Sequence, residues 1–509
     1  MKPFRPVIPT DLGYVRLDRS MTIIPNAGRP RTPSLPDTNL PWFLLLLAAA
    51  FLIRMPVFGD PAYKLDEQFY LLAGDRMLHG MLPYVDLWDR KPVGLFLIYA
   101  GARTLGGAGF VQYQMLATLF AAGTAMCIFA LARRFAGVGG ATMGGLLYLL
   151  WIEIADGGGG QSPIFYNLPM AGAAALLIAP AAARPRWRAF AAMLLAGIAI
   201  QIKYTCVFEG LFFGLVATWQ AWQRNRRAAL IEVPLLALTA LAPTFAAIGA
   251  YAALGHLQDF WFANFTSIFM RGKTPAGDIY RRIGYHALRL TMLTLCTGLS
   301  FAWLRRTENT AEARRWMGLM AGWCIAALIG FLSLGVLFAH YVLPVFVPFS
   351  AAAAPIWRRP RVGPTLLAIA ALLPAATLHW PNFAKTSHSQ QQMAALTALV
   401  PAGVSTGCMQ MFDGPPILYH ITHACMLSRY VFPDHLSAAN EDGAIGVDTV
   451  AELKRVLALR PLVITTGDTD SRPPNLRTTA VLREALARDY RRAGHAPIGD
   501  QFISVWVRR

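Results

Sequence analysis

The chain is short of charge, and shorter still of acid. Of its 509 residues only 15% are Asp, Glu, Lys or Arg, and just 28 are acidic. Soluble proteins carry about 25% charged residues, so that class is excluded. Six cysteines in a chain of this length rule out a small disulfide scaffold. A 55% hydrophobic content and a mean hydropathy of +0.42 rule out intrinsic disorder. There is no internal repeat, low-complexity tract or heptad run. The excess of 46 Lys and Arg over 28 Asp and Glu gives a net charge of +18, but it does not point to nucleic acid. Residues 381–509 hold 13 basic and 11 acidic residues, so nearly all of the excess lies in the first 380, where it punctuates apolar runs. That is the positive-inside pattern of a multi-pass membrane protein.

A span needs about 20 apolar residues. Candidates fall at about 40–58, 109–132, 138–154, 163–182, 188–202, 204–222, 229–254, 284–304, 316–338, 341–357 and 363–379. The first follows a polar arm carrying Lys2, Arg5, Arg16, Arg19, Arg29 and Arg31, too long for the basic region of a signal peptide. Basic clusters then recur after every second span: Arg133/Arg134, Arg184/Arg186/Arg188, Arg224/Arg226/Arg227, Arg305/Arg306/Arg314/Arg315 and Arg358/Arg359/Arg361. With the arm they put 21 basic residues on one side, expected to be the cytoplasm of a cell inner membrane. The loop at 55–91 is instead rich in acid, with six carboxylates and four bases. The alternation requires that 93–106 does not cross, and this short stretch reads as a juxtamembrane or re-entrant helix. The expected architecture is a polytopic α-helical membrane protein of about 11 transmembrane helices plus juxtamembrane helices. Residues 1–39 form a cytoplasmic arm, 40–380 the transmembrane catalytic domain with a first outside loop at 59–108, and 381–509 an extracytoplasmic, periplasmic α/β domain.

In that last domain 396–404, 462–466 and 502–507 read as strands, and 447–459 and 479–491 as helices, with Asp448 near a helix start. Cys408 and Cys425 lie on the oxidising side, where a bridge is compatible with their spacing; two buried thiols are the alternative. Cys127, Cys206, Cys296 and Cys324 fall in spans as small apolar residues.

The densest polar information is KLDEQFYLLAGDRMLHGMLPYVDLWDRKPVG in the first outside loop. A helix beginning at Asp66 and Glu67 would carry Phe69, Leu72, Ala73, Met77 and Gly80 on one stripe and lie on the bilayer surface. Asp66 could do no more than cap that helix. Asp86, Asp89, Arg90 and Lys91 follow and bring cations to the same surface. In the second outside loop, Glu153 and Asp156 precede four glycines. Without a Walker Lys-Ser/Thr or a preceding strand this is no phosphate loop, and a flexible connection is expected. Lys203 and His340 are ionisable residues at outer span boundaries, where function competes with snorkelling or capping. His420 and His423 resemble half a metal site, but no carboxylate or cysteine framework of zinc spacing accompanies them. An outward acid together with Lys91, Lys203 and His340 suits one reaction. A carboxylate takes the proton of an acceptor hydroxyl while cations hold a departing lipid phosphate.

At these residues the sequence resembles the GT-C class of polyprenyl-phosphate-sugar glycosyltransferases, which includes the lipid A aminoarabinose transferases and protein O-mannosyltransferases. The resemblance rests on D-E-x-x-Y (Asp66, Glu67, Tyr70), on PYVDLWDRKPVGLFLIYA ending its acidic stretch in Lys91-Pro92, on Lys203, on H-Y-x-L-P at His340–Pro344, and on PPILYHITHACMLSRY and FISVWVRR near the C-terminus. It implies a GT-C-like fold and an inverting transfer of sugar from a polyprenyl-phosphate donor to an acceptor hydroxyl on lipid A, a polysaccharide, a glycolipid or a protein. It implies Asp66 as general base or acceptor-orienting carboxylate and Glu67 as a residue shaping the site. Lys91 and Lys203 would lie on the donor phosphate with His340, and Arg90 and Tyr70 beside them. Glu153 or Asp156 would supply an acid from the second loop. Val93 departs from the second proline of many relatives. Partners would be the donor lipid, an acceptor and membrane lipids, with no nucleic acid. No nucleotide cofactor is implied, and divalent-metal dependence is not readable. A transporter or flippase is a rival reading, but no inverted halves are visible. A non-catalytic envelope assembly protein is the other.

Overall fold

The computed structural model describes residues 39–178, 185–272, 276–333, 335–468 and 473–509. The basic residues of the N-terminal arm, and Arg184, lie outside the described residues. The chain divides into Met1–Pro41 and a unit running from Trp42 to Arg509, and the side-chain contacts described below lie in the second.

Helices of ten or more residues are numbered here. Leu40–Arg54 (α1) leads to the first loop, which holds Leu65–Leu78 (α2) and Val93–Arg103 (α3). Phe110–Glu153 (α4) follows, and its helical geometry breaks at Gly137 (φ 66°), between two of the expected spans. Then come Ser162–Ile178 (α5), Pro185–Ile200 (α6), Val207–Arg224 (α7), Arg226–Ala253 (α8), Ala276–Thr307 (α9), Ala311–Leu332 (α10), Leu343–Ala353 (α11) and Val362–Leu378 (α12). Among the described residues, six segments are long and apolar enough to cross a membrane: Leu40–Val57, Phe110–Glu153, Arg226–Ala253, Ala276–Thr307, Ala311–Leu332 and Ala339–Arg358. The eleven stretches counted from sequence are more numerous, in part because Phe110–Glu153 holds two of them. α8 shows what surrounds the bundle. Leu230 and Ile231 stand 67% and 70% exposed, an apolar surface that hydrocarbon rather than water would cover.

The C-terminal part begins with Phe383–Ala398 (α13) and adds Thr449–Ala458 (α14) and Leu476–Asp489 (α15). α13 and α15 pack on a four-stranded sheet ordered β1-β2-β4-β3, from Met409–Met411, Val463–Gly467, Tyr490–Ile498 and Gln501–Arg508 in chain order, and α14 packs on α15. β1 pairs parallel with β2; the other pairings are antiparallel. The carboxylate of Asp448 caps α14 by accepting the Ala451 N–H at 2.7 Å. Cys408 and Cys425 are joined in a disulfide, which ties the start of β1 to the following loop.

Two expectations fail here. Residues 396–404 are not a strand but the end of α13 and a turn. Thr386, Ser389, Met393 and Leu396 are buried at helical spacing, and the polar run KTSHSQQQ hid that stripe. α2 does not lie on a surface with one face outward. Every residue from Glu67 to Asp75 is buried. α3 covers one side and the C-terminal domain another, with Phe69 against Phe96 at 6.2 Å and Phe432 at 5.6 Å.

Candidate active site

The first loop is gripped by charge from three directions. Arg54, wholly buried at the end of α1, donates to the carbonyls of Gly157 (2.5 Å) and Gly159 (2.6 Å) and pairs with Glu153 at 3.7 Å. Glu67 accepts the Gly160 N–H at 2.7 Å, and the Tyr99 hydroxyl donates to the Gly160 carbonyl. The four-glycine segment is therefore a buried, clamped element, contrary to the flexible connection expected. A Cβ on Gly159 would run into the Glu67 carboxylate and the Tyr63 ring. At the far end of α2, the Asp75 carboxylate meets Arg103 at 3.0 Å and His420 at 3.3 Å. Burial alone would raise the Asp75 pKa, but His420 and Arg103 outweigh it and hold the carboxyl below its ordinary range. On the third side, Glu441 of the C-terminal domain, 2% exposed, pairs with Arg90 at 2.7 Å and Arg271 at 2.8 Å.

Between these anchors lies a cavity of about 500 Å³. Asp66, Arg90, Lys91, Lys203 and His340 all line it, although they come from four distant stretches of chain. Asp66 occupies the first turn of α2. The capping position is Lys64, which makes no side-chain cap bond, so capping does not account for Asp66. Its carboxylate stands 3.7 Å from the Lys91 ammonium, which is also 3.7 Å from Asp89. Asp89 accepts the backbone N–H groups of Arg90 (2.5 Å) and Lys91 (2.9 Å), folding this segment into a tight turn before α3. Burial opposes charging Lys91, but Asp89, Tyr70 and Asp66 together raise its pKa.

Lys203 sits in the extended link between α6 and α7, with its ammonium 3.8 Å over the Tyr341 ring. A Cβ on Gly94 would come within 2.5 Å of the Gln201 carbonyl, so this glycine allows the start of α3 to approach the Lys203 link. Burial, with Lys91 next in weight, pushes the Lys203 pKa down to about 7. His340 lies in a single helical turn before α11, edge-on to Tyr341 at 4.7 Å. Apolar walls complete the cavity, including Leu241, Phe265, Ile268 and the 87% exposed Phe269.

Glu67, Tyr70, Asp156 and His420 do not line it. Glu67 is buried on the glycine segment, where burial pushes its pKa up to about 8 against the Gly160 N–H. Tyr70 is 1% exposed and offers its ring face to Lys91 at 5.5 Å. Asp156 pairs with Lys64 at 2.8 Å, two residues before Asp66. Arg90 reaches the cavity wall but is held by Glu441, by Ser267 Oγ at 3.1 Å and by the Ala444 carbonyl at 3.0 Å. His420 is engaged with Asp75, and among the described residues no group of three or more His, Cys, Asp or Glu could hold a metal.

Sequence reasoning missed Arg271, Glu441 and the Tyr204–Asn264 hydrogen bond (2.7 Å), all on the cavity wall. The signal for Arg271 was an arginine closing the aromatic run HLQDFWFANFTSIFMR between two apolar stretches. Nothing local marks Glu441, which acts across about 350 residues of chain.

No protein-family model matches the chain, and no curated protein does. Among solved structures, ArnT from Cupriavidus metallidurans bound to undecaprenyl phosphate superposes with a TM-score of 0.59 at 14% identity, over 92% of this chain and 98% of that one. The same protein in its apo state gives 0.57 at 14% identity over the same shares. An Archaeoglobus fulgidus oligosaccharyltransferase tethered to an acceptor peptide is more distant, with a TM-score of 0.43 at 11% identity, over 84% of this chain and 69% of that one. ArnT is a lipid A aminoarabinose transferase of the GT-C class, and the likeness to it shows that this chain has the GT-C fold.

Proposed function

We propose that this protein is an integral-membrane, inverting glycosyltransferase that takes its sugar from a polyprenyl-phosphate donor. The observation that carries the reading is the convergence of Asp66, Lys91, Lys203 and His340 on one cavity with apolar walls. The walls suit an isoprenoid chain and the two lysines its phosphate. Undecaprenyl phosphate is bound by the ArnT that shares the fold. Asp66 then accepts the proton of the acceptor hydroxyl as that oxygen bonds to the anomeric carbon from the face opposite the phosphate. The bond from that carbon to the phosphate oxygen breaks, and the charge left on the lipid phosphate is held by Lys91 and Lys203. A phosphate leaves readily, so no second carboxylic acid is needed, unlike glycoside hydrolysis. Arrival of the donor draws Lys91 toward the phosphate and away from the Asp66 carboxylate.

We place eleven crossings in the chain, with the N-terminus in the cytoplasm and Asp66 and residues 381–509 on the periplasmic side of an inner membrane. The acceptor is a hydroxyl on lipid A, a glycan, a glycolipid or a protein. The test is transfer of radiolabelled sugar from polyprenyl-phosphate donor in reconstituted vesicles, paired with mass spectrometry of envelope glycolipids from a deletion strain. Wild-type protein that binds the donor lipid yet transfers to none of these acceptors would sink the proposal.

A further inference from the structure

A second cavity, of about 850 Å³, opens at the opposite end of the bundle. Position along the helices fixes that end. Arg188, on its wall, precedes Lys203 by fifteen residues, mostly within α6, or about 20 Å at 1.5 Å per residue. Arg315 lies near the start of α10, and the other end of α10 leads toward His340. Among the described residues, three guanidinium groups line this cavity, Arg134, Arg188 and Arg315, against one carboxylate, Glu312. Glu312 engages Arg134 at 3.3 Å, and Arg315 lies 5.2 Å from the centre of the Trp219 ring. The charge at the mouth is therefore net positive. Deeper in, the walls are Leu131, Leu176, Leu195, Leu319 and Trp316, whose indole N–H is already engaged by the Leu131 carbonyl at 3.0 Å.

A cationic rim over an apolar hollow, at the level where a bilayer surface meets the bundle, complements a phosphate carried on acyl chains. We propose that this cavity binds an anionic phospholipid of the leaflet opposite the Asp66 cavity, its phosphate on Arg188 and Arg315 and an acyl chain along Leu176 and Leu195. The site shares no residue with the Asp66 cavity and stands or falls independently of the glycosyltransferase reading.

The experiment uses the full chain in phosphatidylcholine nanodiscs containing a small fraction of photoactivatable phosphatidylglycerol, with cross-linked peptides mapped by mass spectrometry. Cross-links are expected in 172–178 or 311–319. The double variant Arg188→Gln, Arg315→Gln should weaken labelling about 25-fold, at about fivefold per arginine near an anionic lipid. Lys203→Gln should leave it unchanged. Leu176→Trp, which fills the hollow without changing charge, should also suppress labelling, so the proposal survives a misfolded arginine variant. Equal labelling by photoactivatable phosphatidylcholine, or labelling indifferent to both kinds of variant, would overturn it. Displacement by millimolar inorganic phosphate would make free phosphate the ligand and overturn the lipid assignment.

Discussion

Replacing Asp66 by Asn separates catalysis from architecture more cleanly than any other single change. The side chain makes no helix cap, since the capping position is Lys64. Among the described contacts, what is lost is a partly exposed ion pair with Lys91 at 3.7 Å, the two side chains being 30% and 26% exposed. A pair so placed contributes about 1 kcal/mol or less to stability. Asn keeps the size, so thermal unfolding should move by only a few degrees. The loss of a general base is larger, about 10²-fold or more in turnover, or nearly 3 kcal/mol of barrier. Donor binding should survive, because Lys91 and Lys203 remain and Lys91 no longer has Asp66 as a competing partner. The assay is sugar transfer in vesicles alongside donor-lipid binding and a thermal-shift measurement. Transfer within threefold of wild type, with unfolding unchanged, would refute the assignment of Asp66 as base.

Four further outcomes are expected. Lys203 has its pKa lowered to about 7 in the unliganded protein, and a phosphodiester anion would recharge it; donor binding then takes up a proton above pH 7. Affinity measured by lipid titration should fall as pH rises from 7 to 9, by up to about tenfold per unit, and Lys203→Met should flatten the slope. Gly159→Ala forces a methyl against the buried Glu67 carboxylate and should cost about 1–3 kcal/mol of stability, read by thermal shift. Changing both Cys408 and Cys425 to Ser opens a loop of 17-residue separation and should cost about 3 kcal/mol, with non-reducing peptide mapping checking the bridge in wild type. Asp75→Asn leaves Arg103 and His420 facing a neutral amide and should cost about 3 kcal/mol. Because the Asp75 carboxyl lies below its ordinary pKa, its contribution is present above about pH 4 and is lost as pH falls further, so the wild-type melting temperature should drop there more steeply than that of the variant.

What could be read from the sequence was what repeats locally. Apolar runs and basic clusters gave the helical bundle, because burial in hydrocarbon acts on every residue of a span. Val447–Leu459 was legible as α14 from its apolar spacing and from Asp448 at its start. Asp66, Lys91, Lys203 and His340 were legible because ionisable residues are rare beside such runs. What could not be read was anything decided at long range. α2 looked amphipathic, yet its polar side is buried too, since Glu67 finds Gly160 and Asp75 finds Arg103 and His420. β1 has three residues and no pattern of its own; it exists because Val463–Gly467 lies alongside. Glu441 belongs to the C-terminal domain, and its partner Arg90 to the first loop.

The charged groups of this region divide by how tightly they are held, and the division follows their work. Arg90 and Arg271 meet Glu441 at 2.7 and 2.8 Å, and Arg103 meets Asp75 at 3.0 Å, all with mostly buried side chains. Such contacts, once formed in low dielectric, are costly to break, and they fix the loop against the bundle and the C-terminal domain. The Lys91 ammonium instead stands 3.7 Å from each of two carboxylates, and Lys203 faces an aromatic ring. A group in a looser contact gives up less when a substrate charge replaces its partner. The same loop thus carries two kinds of charge. One kind holds the backbone still around the cavity, the pre-organisation that the proposed transfer would need. The other faces the cavity, where a phosphate and a hydroxyl would meet. That is why Arg90 and Lys91, adjacent in sequence and both cationic, should respond differently to substitution: Arg90 through the position of the turn, Lys91 through the charge it presents.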